Sequence, residues 1–309
     1  MNIKQDERGQ TIVITVVFLT VLLGFCALAI DVGSWWKAKR DLQATADAAA
    51  LAGAQALPES TSDAQSLAIQ YAGQNGGVLS ASGISFSSQI TAHDTINVQM
   101  TQDAPGFFSR VFGIDLVTVG AHASARTDGI SSAMWVAPIT VASTHPMLGC
   151  TPPPCTDTTT IPLNDLHSPG SGNAAGAFSL LDLIPGDGGN QGQSTVAGWM
   201  ETGFDQWMPL GTYFGEPSTM YNGSDFQAAL RDRTGDEVLF PVYRPPILGG
   251  GSGARFNIIG WVGFHIDSAD ATGSSGELVG HFTRFLAHGI QASSANSNDF
   301  GVRAVQLVN

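Results

Sequence analysis

Lysine is nearly missing from this chain. Three residues, Lys4, Lys37 and Lys39, lie within the first 40 of 309, and none follows. Beyond Arg40, eight arginines stand against 23 aspartates and glutamates, a net charge of −15. A surface of that sign repels phosphate backbones, so nucleic acid is not expected as a partner. It also offers no basic patch for lipid headgroups outside the N-terminal region. Cysteine is scarce as well, at three residues. Cys26 lies in an apolar run and reads as a small hydrophobe. Cys150 and Cys155 bracket Thr-Pro-Pro-Pro. A local disulfide there fits an oxidising compartment, and two free thiols are the alternative. A zinc site needs about four ligands, and no second Cys or His pair has suitable spacing.

Recognisable catalytic motifs are also missing. There is no Gly-x-Ser-x-Gly elbow, phosphate loop or dinucleotide fingerprint. The glycine-rich run Gly249–Gly253 precedes a strand and has no Lys after it, so it reads as a turn. Of the histidines His93, His122, His145, His167, His265, His281 and His288, none forms a His-x-x-x-His pair. His281 and His288 are seven apart, on opposite faces of one apparent strand. All read as surface or satisfied structural residues. Asp182, Asp187 and Asn190 lie among glycines, but their spacing is not that of an EF-hand loop. Asn222-Gly223-Ser224 fits the glycosylation sequon, a short and unspecific pattern. The expectation is a non-enzyme with no catalytic, cofactor-binding or metal-binding residue and no small-molecule substrate.

What the chain does contain is one long apolar run, Thr11–Ile30, with twenty residues and no charge. At ~1.5 Å per helical residue it spans ~30 Å, the thickness of a bilayer's hydrocarbon core. Trp35-Trp36 with Lys37, Lys39 and Arg40 follow, as suits a membrane–water interface. A cleaved signal peptide is the rival reading, because Ala27-Leu28-Ala29 has the small-x-small form. The run exceeds the usual ~7–15 apolar residues of such a segment, which favours a retained anchor.

The helical pattern continues through an Ala-rich stretch to Leu57, where Pro58 stops it. Trp35, Leu42, Ala49 and Ala56 recur every seven residues, with Ala38, Thr45 and Ala52 between them. Ala49 and Gly53 belong to a small-residue face that lets another helix or a sheet approach closely. That face serves either its own domain or a partner. A small α+β unit follows: a helix over Asp63–Gln74, strands over Ile84–Ile90 and Thr95–Thr101 across the turn His93-Asp94, a short helix over Pro105–Phe112, and a strand over Ile114–Ala125.

Arg8-Gly9-Gln10, the apolar span, Ala29-Ile30-Asp31-Val32-Gly33, and then Asp41 to Ala54 (DLQATADAAALAGA) resemble the N-terminal region of TadE/TadG-like Flp pilus-assembly proteins. Phe107-Phe108-Ser109-Arg110-Val111-Phe112-Gly113-Ile114, Val117-Thr118-Val119 and Ala121–Ala125 extend the resemblance over about residues 8–126. It implies a bitopic envelope protein of the tight-adherence pilus machinery, with its body outside the cytoplasm. Two departures stand out. Prepilin-type cleavage after a Gly uses a Glu five residues on, and here Gly9 meets Ile14. The von Willebrand A metal motif Asp-x-Ser-x-Ser has only Asp267-Ser268-Ala269-Asp270 as its nearest string. Neither processing nor that metal site is expected. Two basic residues precede the span and three follow within ten positions, a weak lean against export. The cysteine pair, the lysine depletion and the resemblance favour it.

Beyond Asp128, the pattern predicts strands over Trp135–Ala142, Glu237–Tyr243, Phe256–Asp267, Glu277–His288 and Val302–Val308. It predicts helices over Thr195–Trp207 and Ser224–Arg233, and a Pro/Gly/Ser/Thr-rich loop at 151–176. The expected fold class is α+β. A tail at 1–10 and a transmembrane helix at 11–30 lead into a stalk and small α+β domain at 31–126. A β-dominated, antiparallel extracytoplasmic domain at 127–309 completes the chain. The expected function is a structural or assembly role in a Flp-type pilus or surface adhesion system. Its partners would be the lipid bilayer and, through the stalk, proteins of the assembly machinery. The alternative is an anchored carbohydrate-binding or hydrolase module. Trp199, Trp207, Tyr213 and Tyr221 would then stack on sugar, with Glu201 and Asp205 nearby.

Overall fold

The computed structural model describes residues 8–150, 153–166, 177–186, 188, 191–217, 220–271, 276–287 and 298–308. The chain forms an N-terminal apolar helix and a β-rich body, α+β overall, in two compact units: Met1–Arg126 with Leu307–Asn309, and Thr127–Gln306.

The first unit is built on α1 (Arg8–Ala54), an unbroken helix of 47 residues. From Thr11 to Ile30 no residue is buried, and Ile12, Phe18 and Phe25 are each about two-thirds exposed. In water, each such side chain would forgo ~1.5–3 kcal/mol of burial. Beyond Asp31 the helix changes character. Leu42, Thr45, Ala49 and Ala52 are buried, and Trp35, Ala38 and Ala56 are half-buried. α1 ends at Ala54 rather than Leu57. Gln55, Ala56 and Leu57 donate instead to Ala52, Gly53 and Ala54, a tightened exit. Pro58 disfavours helical geometry in the residue before it.

α2 (Thr61–Gln74) is capped by Ser60, whose hydroxyl accepts from the Asp63 N–H, and it buries Ala64, Ala68 and Ala72 in a stripe four residues apart. That stripe suits the close approach of α1, against which α2 packs. A sheet follows: β1 (Ile84–Ser87), β2 (Thr95–Pro105) and β3 (Leu116–Gly129), antiparallel in that order. Ile96, Val98 and Met100 alternate inward from β2, and Val119, Ala121, Ala123 and Ala125 from β3. The β1–β2 turn is closed by Asp94, which is fully buried. Its carboxylate accepts from the N–H groups of Gln89, Ile90 and Thr91 at 2.6–2.9 Å and from the Thr95 hydroxyl.

The second unit contains β4 (Ser132–Ala133), β5 (Ile139–Ala142), β6 (Thr158–Pro162), β7 (Phe178–Leu180), α3 (Gln193–Thr202), β8 (Met208–Pro209) and β9 (Gly211–Phe214). It continues with α4 (Ser224–Asp232), β10 (Glu237–Leu248), β11 (Arg255–Asp270), β12 (Glu277–Thr283), β13 (Phe285–Leu286) and β14 (Val302–Val308) as far as Gln306. Its main sheet runs β6-β12-β11-β10-β5-β7, with β9 also paired to β11. The long strands carry its core, including Phe240, Phe256, Trp261, Phe264 and Phe282.

This sheet is mixed, not purely antiparallel: β5 lies parallel to β10, Val141 opposite Val242. In the other sheet, β13 is parallel to β14. The chain between β5 and β10 includes α3 and α4 and is long enough for the crossover that a parallel pair needs. Other boundaries also differ from the sequence pattern. The predicted 151–176 loop contains β6, because Thr159 and Ile161 alternate inward and pair with β12. The strand predicted from Trp135 begins at Ile139. Trp135 itself has φ +60°, outside the strand region. α3 stops at Thr202, where Gly203 takes φ +83°. β12 ends at Thr283, and His288 lies outside the described residues.

Candidate functional site

The end of the apolar run is where sequence and geometry converge. Asp31 is the first charge after twenty uncharged residues, and it is fully buried between exposed neighbours. The loop joining β2 to β3 covers it. Asp31 Oδ1 accepts from the N–H groups of Phe107 at 3.0 Å and Phe108 at 3.3 Å. Oδ2 accepts from Phe108 at 3.0 Å and from Ser109 at 2.6 Å. Three successive N–H groups at the start of a 3-10 turn thus hold one carboxylate, the arrangement that binds anions at helix starts. Asp31 lies beyond Thr11–Ile30. Burial pushes its pKa up, but the donors at Ser109, Phe107 and Phe108 outweigh that and hold it below the usual carboxylate value.

The loop closes on itself around this contact. The Gly106 N–H donates to the Asp115 carbonyl at 2.9 Å, and the Ile114 N–H to the Ser109 carbonyl at 3.1 Å. The Ser109 hydroxyl donates back to the Ile114 carbonyl. A Cβ at Gly106 would run into the Ser109 hydroxyl and come within 2.7 Å of the Ile114 carbonyl, so no side chain fits there. Gly113 ends the turn at φ +79°.

α1 is laced to the same hairpin further along. One turn past Asp31, Trp35 Nε1 donates to the Pro105 carbonyl at 3.2 Å. Two turns later, Gln43 Nε2 donates to the His122 carbonyl and to Asp47, both at 2.8 Å. At its far end, a Cβ on Gly53 would meet Ile96 Cδ1 at 2.6 Å and the Ala64 carbonyl at 2.8 Å. Of the residues singled out in the sequence, Ala49 and Gly53 therefore pack inside their own unit. Trp35 is half-buried with a partner, and Trp36 is 66% exposed.

Elsewhere the structure sorts the remaining candidates. Trp199, Tyr213 and Tyr221 are buried, and Trp207 is exposed. The Tyr213 hydroxyl donates to the Pro209 carbonyl at 2.7 Å, and burial raises its pKa to about 12. Glu201 and Asp205 are exposed. Cys150 and Cys155 form a disulfide. Asp182 is buried and accepts from the Ile184 N–H and the Gln191 amide. Asp187, Asn190 and His167 lie outside the described residues.

One grouping escaped the sequence reading. His265 and His281 face each other across β11 and β12, with Asp267 3.2 Å from His281 Nδ1 and 3.9 Å from His265 Nε2. The signal was present, since residues two apart on a strand share a face, but it required knowing the register. Among the described residues, no group of three or more His, Cys, Asp or Glu is arranged to hold a metal ion.

The geometry defines a class. It is an α+β protein whose N-terminal helix is apolar and uncovered in one half, then becomes the packed stalk of a small domain in the other. Among the described residues, this is the one helix long and apolar enough to cross a membrane. The family model Tad, Flp pilus-assembly TadE/G-like, matches residues 9–56, which takes in the apolar run and the stalk. No curated protein and no solved structure matches the chain. The family match and the apolar helix together suggest a membrane-anchored, Flp/Tad pilus-related protein.

Proposed function

We propose that this protein is a single-pass component of a bacterial Flp/Tad-type pilus or surface-adhesion system, with a structural or assembly role and a body outside the cytoplasm. The observation that carries the reading is the two-faced α1. Its first half is apolar and uncovered, its second half is packed, and the family match spans both. Lipid is the solvent that stabilises the first half, and the hairpin clamp at Asp31 marks where that solvent ends.

The role is mechanical. The helix fixes the chain in the membrane. The stalk carries that anchorage into its own folded unit through hydrogen bonds and packing. The Cys150–Cys155 disulfide supports an oxidising, extracytoplasmic location. The burial of Trp199, Tyr213 and Tyr221 counts against the carbohydrate-stacking alternative, because a buried ring offers no face to a sugar. The exposed side of α1 just past the span, at Val32 and Trp36, is where a partner helix has access.

Deletion of the gene, together with photo-crosslinking from Val32 and Trp36 in cells, tests this. Loss of surface pili or adherence, with a crosslink to a membrane protein of the assembly machinery, is expected. Unaltered piliation and adherence without such a crosslink would overturn the reading.

A further inference from the structure

The loop that clamps Asp31 carries an unusual burden of uncovered apolar side chains. Phe107 is 62% exposed, Val111 84% and Phe112 83%. Their solvent is the question, because single exposed hydrophobes are ordinary but a cluster on one tight loop is not.

Position supplies the answer. Val111 and Phe112, with Phe108 and Ile114, form one wall of an apolar groove of about 690 Å³, and Leu23, Cys26, Ala27 and Ile30 of α1 contribute to the other. Leu23 precedes Asp31 by two helical turns, so the loop reaches ~12 Å back along the apolar run. We infer that the Gly106–Asp115 loop is a second membrane contact: its Phe107, Val111 and Phe112 side chains enter the outer edge of the bilayer, and lipid acyl chains fill the groove beside α1. This rests on the reading that Thr11–Ile30 spans a bilayer. Lipid is the occupant because the groove is continuous with that span, and its helix wall lies within the apolar run.

The same geometry explains why a buried aspartate sits at the end of a membrane helix. A carboxylate facing lipid is costly, and here three backbone N–H groups and the folded loop shield it. Asp31 fixes the loop's height on the helix. The loop in turn gives the protein two apolar contacts instead of one, which limits how the stalk tilts and turns about the helix axis. Trp35, held to Pro105 just above, lies at the level of an interfacial tryptophan.

The test uses the full-length chain with Cys26→Ser, reconstituted in phosphatidylcholine–phosphatidylglycerol vesicles. Single cysteines replace Phe112, Val111, Phe18 or Val78, each labelled with an environment-sensitive fluorophore. Phe18 reports the span. Val78, 88% exposed and next to Gly77 in the unit that packs on the far stalk, reports water. Expected are strong quenching at Phe112 and Val111 by shallow nitroxide lipids and severalfold protection from aqueous iodide. Phe18 should respond to deep nitroxide lipids and Val78 to iodide alone. Adding V111D should return the Phe112 probe to iodide. If Phe18 reads deep while Phe112 and Val111 behave like Val78, the loop inference falls and the span stands. If neither quencher reaches the loop probes, protein covers them, and the inference falls as well. If Phe18 itself reads aqueous, the spanning reading fails first.

Discussion

The carboxylate of Asp31 accepts a 2.6 Å hydrogen bond from the backbone N–H of Ser109, 78 residues further along the chain. This contact, repeated at Phe107 and Phe108, turns the end of an apolar helix into the socket of a folded unit. Asp94 repeats the device at the β1–β2 turn, with Gln89, Ile90 and Thr91 as donors. The unit thus relies on two buried carboxylates that accept from runs of successive amides.

Asp31→Ala removes the acceptor and leaves those three amides without it. Hydrogen exchange at Phe107, Phe108 and Ser109 in the detergent-solubilised chain should accelerate markedly. Amides in the β2–β3 ladder near Ile96 should change little. Asp31→Asn, which keeps an acceptor oxygen but loses the charge, should fall between wild type and Ala. Equal protection in all three proteins would show that the loop holds itself without Asp31.

Gly53→Leu tests the stalk. The new side chain has to displace Ile96 and the α2 backbone at Ala64, and overpacking of this kind costs ~1–3 kcal/mol or more. Thermal unfolding followed by circular dichroism should show the loss, and Gly53→Ala should show a smaller one. A variant of unchanged stability would mean that α1 and α2 are not pressed together at this point.

The disulfide closes a short loop, Cys150 to Cys155. On the chain-entropy scale, its removal by C150S/C155S should cost the second unit ~2 kcal/mol in urea unfolding. The Asp31 clamp lies in the other unit, so exchange at Phe107–Ser109 should stay unaltered.

His145 makes edge contacts with Phe178 and Phe282, and its Nδ1 accepts from the Met147 N–H. Burial lowers its pKa below 6.5, so the fold prefers the neutral ring. A depressed folded pKa gives stability that is complete above the unfolded value of 6.5. That stability is lost as pH falls through the folded pKa. The urea midpoint of the second unit should therefore drop between pH 7.5 and pH 5. His145→Phe should flatten that part of the slope. A slope unchanged in the variant would assign it to other groups.

How much of this was legible in the sequence depended on the range of each interaction. The apolar run and the buried heptad of Leu42, Thr45, Ala49 and Ala52 were legible, because helical periodicity is local. So were the long strands around Phe256–Asp267, where β-branched and aromatic residues cluster. The Asp31 clamp was not. Its donors are backbone amides on a loop far along the chain, and amides leave no mark on residue type. The family resemblance brought both stretches to notice, but the contact between them belongs to the fold. The parallel placement of β5 beside β10 was hidden for the same reason, since nothing near Val141 announces Val242 as its neighbour. β6 was lost in a Thr- and Pro-rich run whose alternation covers only five residues. The aromatics at Trp199, Tyr213 and Tyr221 read more readily as core than as sugar platforms, and their burial agrees with core.

Protease accessibility of the full-length chain in spheroplasts and in inverted membrane vesicles, with intact-mass measurement of each product, tests the central claim most directly. Expected is a membrane-retained chain whose body is digested from outside the spheroplasts and protected in inverted vesicles, leaving a fragment that keeps Thr11–Ile30. A released product whose mass begins after Ala29, or a body digested only in inverted vesicles, would contradict an exported protein anchored by α1.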